Sequence, residues 1–96
     1  MPKGYILAEV DVTDPTAYEG YRSRVMPTVE AFGGVMLVRG GDPQPLEGSP
    51  AAKRVVILEF ASPERAMEWY NSPAYQAILP IRLQNSVGRV HCLTGA

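Results

Sequence analysis

Val55-Val56-Ile57-Leu58-Glu59-Phe60 alternates in side-chain character and runs into Ser62-Pro63 and an amphipathic stretch. The same phrase stands earlier in the chain. Tyr5-Ile6-Leu7-Ala8-Glu9-Val10-Asp11-Val12 runs into Asp14-Pro15 and another amphipathic stretch. Each phrase reads as a strand feeding a helix. Strand side chains alternate between faces with period two. Aspartate or serine at the cap accepts the free amides of the first helical turn. Proline suits the first helical position, where no donor is needed. Val35 to Arg39 and Val87 to Thr94 follow the two helical stretches and read as returning strands. The element order is therefore βαββαβ.

That order predicts an α+β domain of ferredoxin-like layout: a four-stranded antiparallel sheet, ordered four, one, three, two, with helices on one face. Residues 1–96 make a single domain. The first helix carries Tyr18, Tyr21, Val25, Val29 and Phe32 on one stripe. Pro27 falls inside that stripe and is expected to kink or divide the helix, because it removes a donor and clashes one turn back. Gly33-Gly34 ends it. Gly40 to Pro50, with three prolines and three glycines, reads as a long loop. The third strand spans Lys53 to Ala61. Ala66, Trp69 and Tyr70 mark the buried side of the second helix. Ser72-Pro73 repeats the cap-and-proline signal, so that helix breaks and restarts, with Tyr75, Ile78 and Leu79 inward and a bend at Pro80.

Period two assigns Ile6, Ala8, Val10, Val56, Leu58 and Phe60 to the helix-covered face. Tyr5, Leu7, Val55 and Ile57 fall on the other face. Left bare, that face would exceed the few hundred Å² of contiguous apolar surface usual on a monomer. A homodimer joined through the sheet face is the expected solution.

Composition excludes several functions. The net charge of -1, with no basic run beyond Lys53-Arg54, argues against nucleic acid and anionic membrane as partners. No apolar run reaches the ~20 residues needed to span a bilayer. Met1-Pro2-Lys3-Gly4 leads into a strand rather than a signal peptide, and Cys92 is the only cysteine. These features read as a cytoplasmic protein. Cys92 has the parity of the apolar face and is expected to be an inert core thiol. His91 and Cys92 are strand neighbours and point to opposite faces, so they cannot hold one ion together. No metal site and no cofactor is predicted. Gly40-Gly41 is too short for a phosphate loop.

The uncovered face also carries charge. Glu9 and Glu59 sit on adjacent central strands, Arg39 ends the second strand, and Arg89 and His91 share a parity on the fourth. Close carboxylates cannot both stay ionised without cations nearby. Two readings stand: an acid–base site in which Glu59 and His91 are catalytic, or an ion-pair network at a dimer interface.

Taken in order, these residues resemble the domain-of-unknown-function 1330 family, of the dimeric α+β barrel superfamily. The marks are Gly4-Tyr5-Ile6, Tyr18 and Tyr21, Phe32-Gly33-Gly34, Arg39-Gly40-Gly41, Leu46-Glu47-Gly48, the Val55-to-Phe60 strand, Ala66, Trp69-Tyr70, Ser72-Pro73, Tyr75 and Arg82. The resemblance implies two subunits joining their sheets into a barrel, with a cavity in each protomer between sheet and helices. It implies no particular reaction, since the superfamily includes cofactor-free monooxygenases, haem-handling enzymes, isomerases and ligand-sensing domains. It draws attention to Arg39, Glu47, Trp69, Tyr70, Tyr75 and Arg82 as ligand-binding residues. The expected pocket lies between the second helix and the sheet. Arg39 and Arg82 would hold an anionic or carbonyl group, Trp69 and Tyr70 would wall it, and the Gly40–Pro50 loop would cover the mouth with Glu47 facing in. The functional expectation is a homodimer binding a small organic molecule in each protomer, with cofactor-independent catalysis there left open. The alternative is a non-catalytic ligand-binding or structural module.

Overall fold

Three helices stand on the sequence signals just described, and each begins the same way. α1 (Pro15–Glu30) is capped by Asp14, whose side chain accepts the Ala17 amide at 3.1 Å. α2 (Pro63–Tyr70) is capped by Ser62, which accepts the Arg65 amide at 3.1 Å. α3 (Pro73–Gln84) is capped by Ser72, which accepts the Tyr75 amide at 3.3 Å. Each cap satisfies a donor that the helix itself leaves free. The strands are β1 (Gly4–Val12), β2 (Val35–Gly40), β3 (Arg54–Phe60) and β4 (Ser86–Thr94). The computed structural model describes residues 2–49 and 52–96. Pro50, the last residue of the predicted loop, lies outside the described residues.

The sheet runs β2-β3-β1-β4 with every pair antiparallel, which is the predicted ferredoxin-like order. Ile6 pairs with Leu58 on one side and Cys92 on the other. Leu7 pairs with Ile57 and His91. Register thus fixes the two faces: Ile6, Val10, Leu58 and Phe60 are buried under the helices. Ala8 and Val56 pack against that core.

The expected kink or division at Pro27 does not interrupt α1, which continues through it to Glu30. The donor that Pro27 lacks would have met the carbonyl of Ser23, an exposed residue whose carbonyl water can serve. α3 likewise continues through Pro80. The helix break between Tyr70 and Pro73 is present as predicted.

An aromatic block ties the three helices together. The Trp69 and Tyr75 ring centroids are 4.1 Å apart, and Phe60 of the sheet lies 5.6 Å from Trp69. Trp69 Nε1 donates to Thr28 Oγ1 at 3.1 Å, joining α2 to α1. The Tyr21 and Tyr75 hydroxyls are bonded at 2.8 Å, joining α1 to α3. These buried polar tips are therefore satisfied, as aromatic residues in a core require. Behind them Gly34 lets the chain pass so close to Phe60 and Val29 that a Cβ there would lie 2.6 Å from each.

The second sheet face carries no helix. Val35, Val87 and Leu93 on it are exposed, and Leu7, Val55 and Ile57 are half-buried. Its charges pair locally. Tyr5 donates to Glu59 at 3.0 Å, Lys3 lies 3.4 Å from the same carboxylate, and Arg89 donates to Glu9 at 3.1 Å. No helix among the described residues is long and apolar enough to cross a membrane.

Candidate functional site

The sheet has one irregularity, and it re-aims a charge. Met36 pairs with Leu58 and Val38 with Ile57, so Leu37 is an extra residue in β2. Beyond that bulge the parity of the strand reverses. Arg39 pairs with Val56 and faces the helices. It does not join Glu9 and Glu59 on the uncovered face, where simple alternation along the strand had put it.

α2 packs directly on the sheet, over β1, β3 and β4, whereas the main approach of α1 is to α3. Large side chains hold α1 off the strands, and a cavity remains beneath it. Its volume is about 60 Å³. One water needs roughly 10–15 Å³ of such space, so the enclosed part holds only a few waters. The floor is apolar: Ile6, Ala8, Val10, Val56 and Leu58. Tyr18, Tyr21, Val25 and Met26 of α1 form the roof, and Trp69 and Tyr75 close one side. The expected pocket against the second helix is thus roofed mainly by α1.

The charged part of the cavity is entirely guanidinium. Arg82 in the last turn of α3, Arg54 at the start of β3, Arg39 of β2 and Arg22 of α1 all line it. Arg22 sits with Glu19, 3.8 Å away. Among the described residues Arg39, Arg54 and Arg82 have no carboxylate partner. Arg82 is 7% exposed, and its Nε and that of Arg54 are buried without a hydrogen-bond partner among the described residues. The Arg82 guanidinium lies 6.0 Å from the Tyr21 ring centroid, within reach of a cation–π attraction. Its place at the C-terminal end of a helix is also favourable, worth up to about 1–2 kcal/mol when partly buried. Neither supplies the compensation of a carboxylate, and a buried charge left unpaired costs several kcal/mol, on the order of the penalty for breaking a buried ion pair.

Burial pushes the Tyr18 hydroxyl above the ordinary phenol range, although Arg54 beside it pulls the other way. Burial and the hydrogen-bonded Tyr75 push Tyr21 higher still. Both phenols keep their protons at neutral pH and act as neutral donors or acceptors.

Of the residues the sequence singled out, Arg39, Trp69, Tyr75 and Arg82 meet at this one cavity. Tyr70 stands behind them, 5.5 Å from Tyr75 between ring centroids, and lines a separate depression with Met67 and Cys92. Glu47 is exposed in the loop after β2 and does not line the cavity. Glu59 and His91 lie on the far side of the sheet, paired with Tyr5 and Leu7 in register. The sheet itself separates them from the guanidinium groups. Cys92 has the expected parity but is exposed, not a core thiol, because β4 is an edge strand that the helices cover incompletely. Arg54 was overlooked in the sequence, and its signal was available. It continues the period-two face of Val56, Leu58 and Phe60, where a charge is out of place.

The fold and cavity define an α+β domain of the ferredoxin-like class. The chain belongs to the family described as domain of unknown function DUF1330, whose model matches residues 3–96. A protein of unknown function from Rhodopseudomonas palustris has a solved structure with TM-score 0.76 and 23% identity, covering 99% of this chain and 83% of that one. The cofactor-independent oxygenase SnoaB from Streptomyces nogalater shares the fold with TM-score 0.65 and 10% identity, covering 100% of this chain and 95% of its own. A hypothetical protein from Arabidopsis thaliana matches with TM-score 0.61 and 20% identity, covering 97% and 84%. At these identities the likeness is one of fold. No curated protein sequence matches the chain.

If Arg82 serves the cavity rather than the fold, removing its charge should not weaken the empty protein. Arg82→Met keeps the length and apolar stem. Its unfolding free energy in urea is expected to be unchanged or up to about 2 kcal/mol higher than wild type. A loss of about 2 kcal/mol or more would mark the guanidinium as a structural element instead.

Proposed function

We propose that each protomer binds a small organic molecule in the cavity between α1, α3 and the sheet, and that two protomers pair through their uncovered sheet faces. The observation that carries the first part is Arg82: a guanidinium more than nine-tenths buried, with an unused donor, in the wall of an otherwise apolar cavity. Small-molecule sites have this make-up, an apolar lining with a few polar groups that orient the ligand. The fold likeness to a cofactor-independent oxygenase raises an enzyme reading as well. The cavity wall supports binding over acid–base chemistry. Among the described residues lining it there is no carboxylate, histidine, cysteine or lysine. Glu59 already accepts from Tyr5 and lies beside Lys3 across the sheet, which favours a structural role for it.

Trp69 is the single tryptophan and forms part of the wall, so its emission reports on the cavity. A ligand seated there should shift or quench that emission and raise the thermal midpoint together, because binding only the native state stabilises it by mass action. A library of small organic compounds that yields stabilising hits, none of which touches Trp69 emission, would place binding elsewhere.

The pairing rests on Leu7, Val55 and Ile57 flanked by the exposed Val35, Val87 and Leu93 on a face that no helix covers. Ile57→Asp puts an unpaired charge at its centre and should give monomer or aggregate in sedimentation, against a wild-type dimer. A wild-type protein that sediments as a monomer at micromolar concentration contradicts the pairing.

A further inference from the structure

We infer that the cavity selects a small organic anion, with a carboxylate or similar delocalised oxyanion seated between Arg54 and Arg82 and an apolar body lying on the strand residues beneath. The inference deepens the cavity reading above and rests on it.

Hydrogen-bond accounting points to this chemistry. The tyrosine and tryptophan groups of the wall are largely occupied: Tyr21 bonds Tyr75, and Trp69 donates to Thr28. Among the described residues the fully buried side-chain atoms left without a partner are both donors, the Nε–H groups of Arg54 and Arg82. A guanidinium has five N–H donors and no acceptor, so only an acceptor can complete the site. A neutral amide would offer its carbonyl but turn its own N–H groups toward further donors. A carboxylate presents acceptors on both oxygens and cancels charge, and its plane matches the guanidinium fork.

Charge accounting agrees. Three cations of the wall lack a carboxylate partner among the described residues, and no acidic side chain lines the cavity. The two best-buried of these come from different elements, α3 and β3, and both act on the Tyr18 hydroxyl between them in the lining. Arg39, exposed at the end of β2, stands where an entering anion would meet it first. The small enclosed volume takes the oxyanion and the first few atoms of the body, and the rest of a ring or branched chain projects outward through the open side.

Benzoate and isovalerate, with benzamide and isovaleramide as neutral partners of the same shape, test the inference on the full chain by calorimetry and thermal shift. The acids are expected to bind at least tenfold more tightly than the amides. Arg82→Met and Arg54→Met are each expected to weaken acid binding at least tenfold and to shrink the preference for acid over amide by a similar factor. Arg54 starts a strand and is only half-buried, so its variant remains informative should Arg82→Met fold poorly. Amides that bind as well as acids would overturn the anion inference and leave the cavity reading standing. Acids that bind with affinity unchanged in both variants would also overturn it, since the oxyanion would then sit elsewhere. If none of the four compounds binds, the inference and the cavity reading fall together.

Discussion

Helices cover one face of this sheet and only one, and the rest of the molecule is arranged around that asymmetry. The helices do not share the strands equally. α2 takes the direct contact, and α1 leans on α3, propped above the strands by aromatic side chains. The prop is a chain of satisfied contacts from Phe60 through Trp69 and Tyr75 to Tyr21. Because large rings rather than backbone set the height of α1, a space remains that small apolar residues such as Ala8 do not fill. The sheet also becomes a partition. Paired charges lie on one side of it, and unpaired guanidinium groups lie on the other.

Arg82 shows what that partition means energetically. An arginine at a helix C-terminus is ordinary on a surface, where water solvates it and the helix dipole favours it. Buried beside tyrosines without a carboxylate, it sits at a position that apolar packing would suit better. A small domain has little stability to spare. Unfavourable groups of this kind collect at binding sites, where activity and stability pull in opposite directions. The same holds for Arg54, an arginine on the covered face of an otherwise apolar strand.

The sequence made the frame legible through local chemistry. Three cap-and-proline pairs marked three helix starts, and period two in β1 and β3 named the covered face residue by residue. The break at Ser72 was readable for the same reason. What stayed hidden depended on neighbours far along the chain. Nothing in Val35 to Arg39 announces that Leu37 is extra, because a bulge is defined against the partner strand. One residue of slip moved Arg39 from the charged face to the cavity. Pro27 was legible as a breaker, yet its missing donor falls opposite an exposed carbonyl and the helix absorbs it. Cys92 had the right parity and the wrong strand, since edge position rather than alternation decides its exposure. Glu59 and His91 stood out as ionisable groups on an apolar strand face, a signal that does not distinguish surface ion pairing from chemistry. Arg54 gave the same signal on the covered face, where it weighs more.

The central claim is that the space under α1 is an anion seat. Diffraction from crystals soaked in 4-bromobenzoate addresses it directly, because bromine marks its own position by anomalous scattering. The account predicts a bromine peak at the mouth of the cavity beside α1, with the carboxylate turned inward against Arg54 and Arg82. A fully bound compound found on the uncovered sheet face beside Glu59 and His91, with the cavity filled by ordered water bridging the two guanidinium groups, would contradict it.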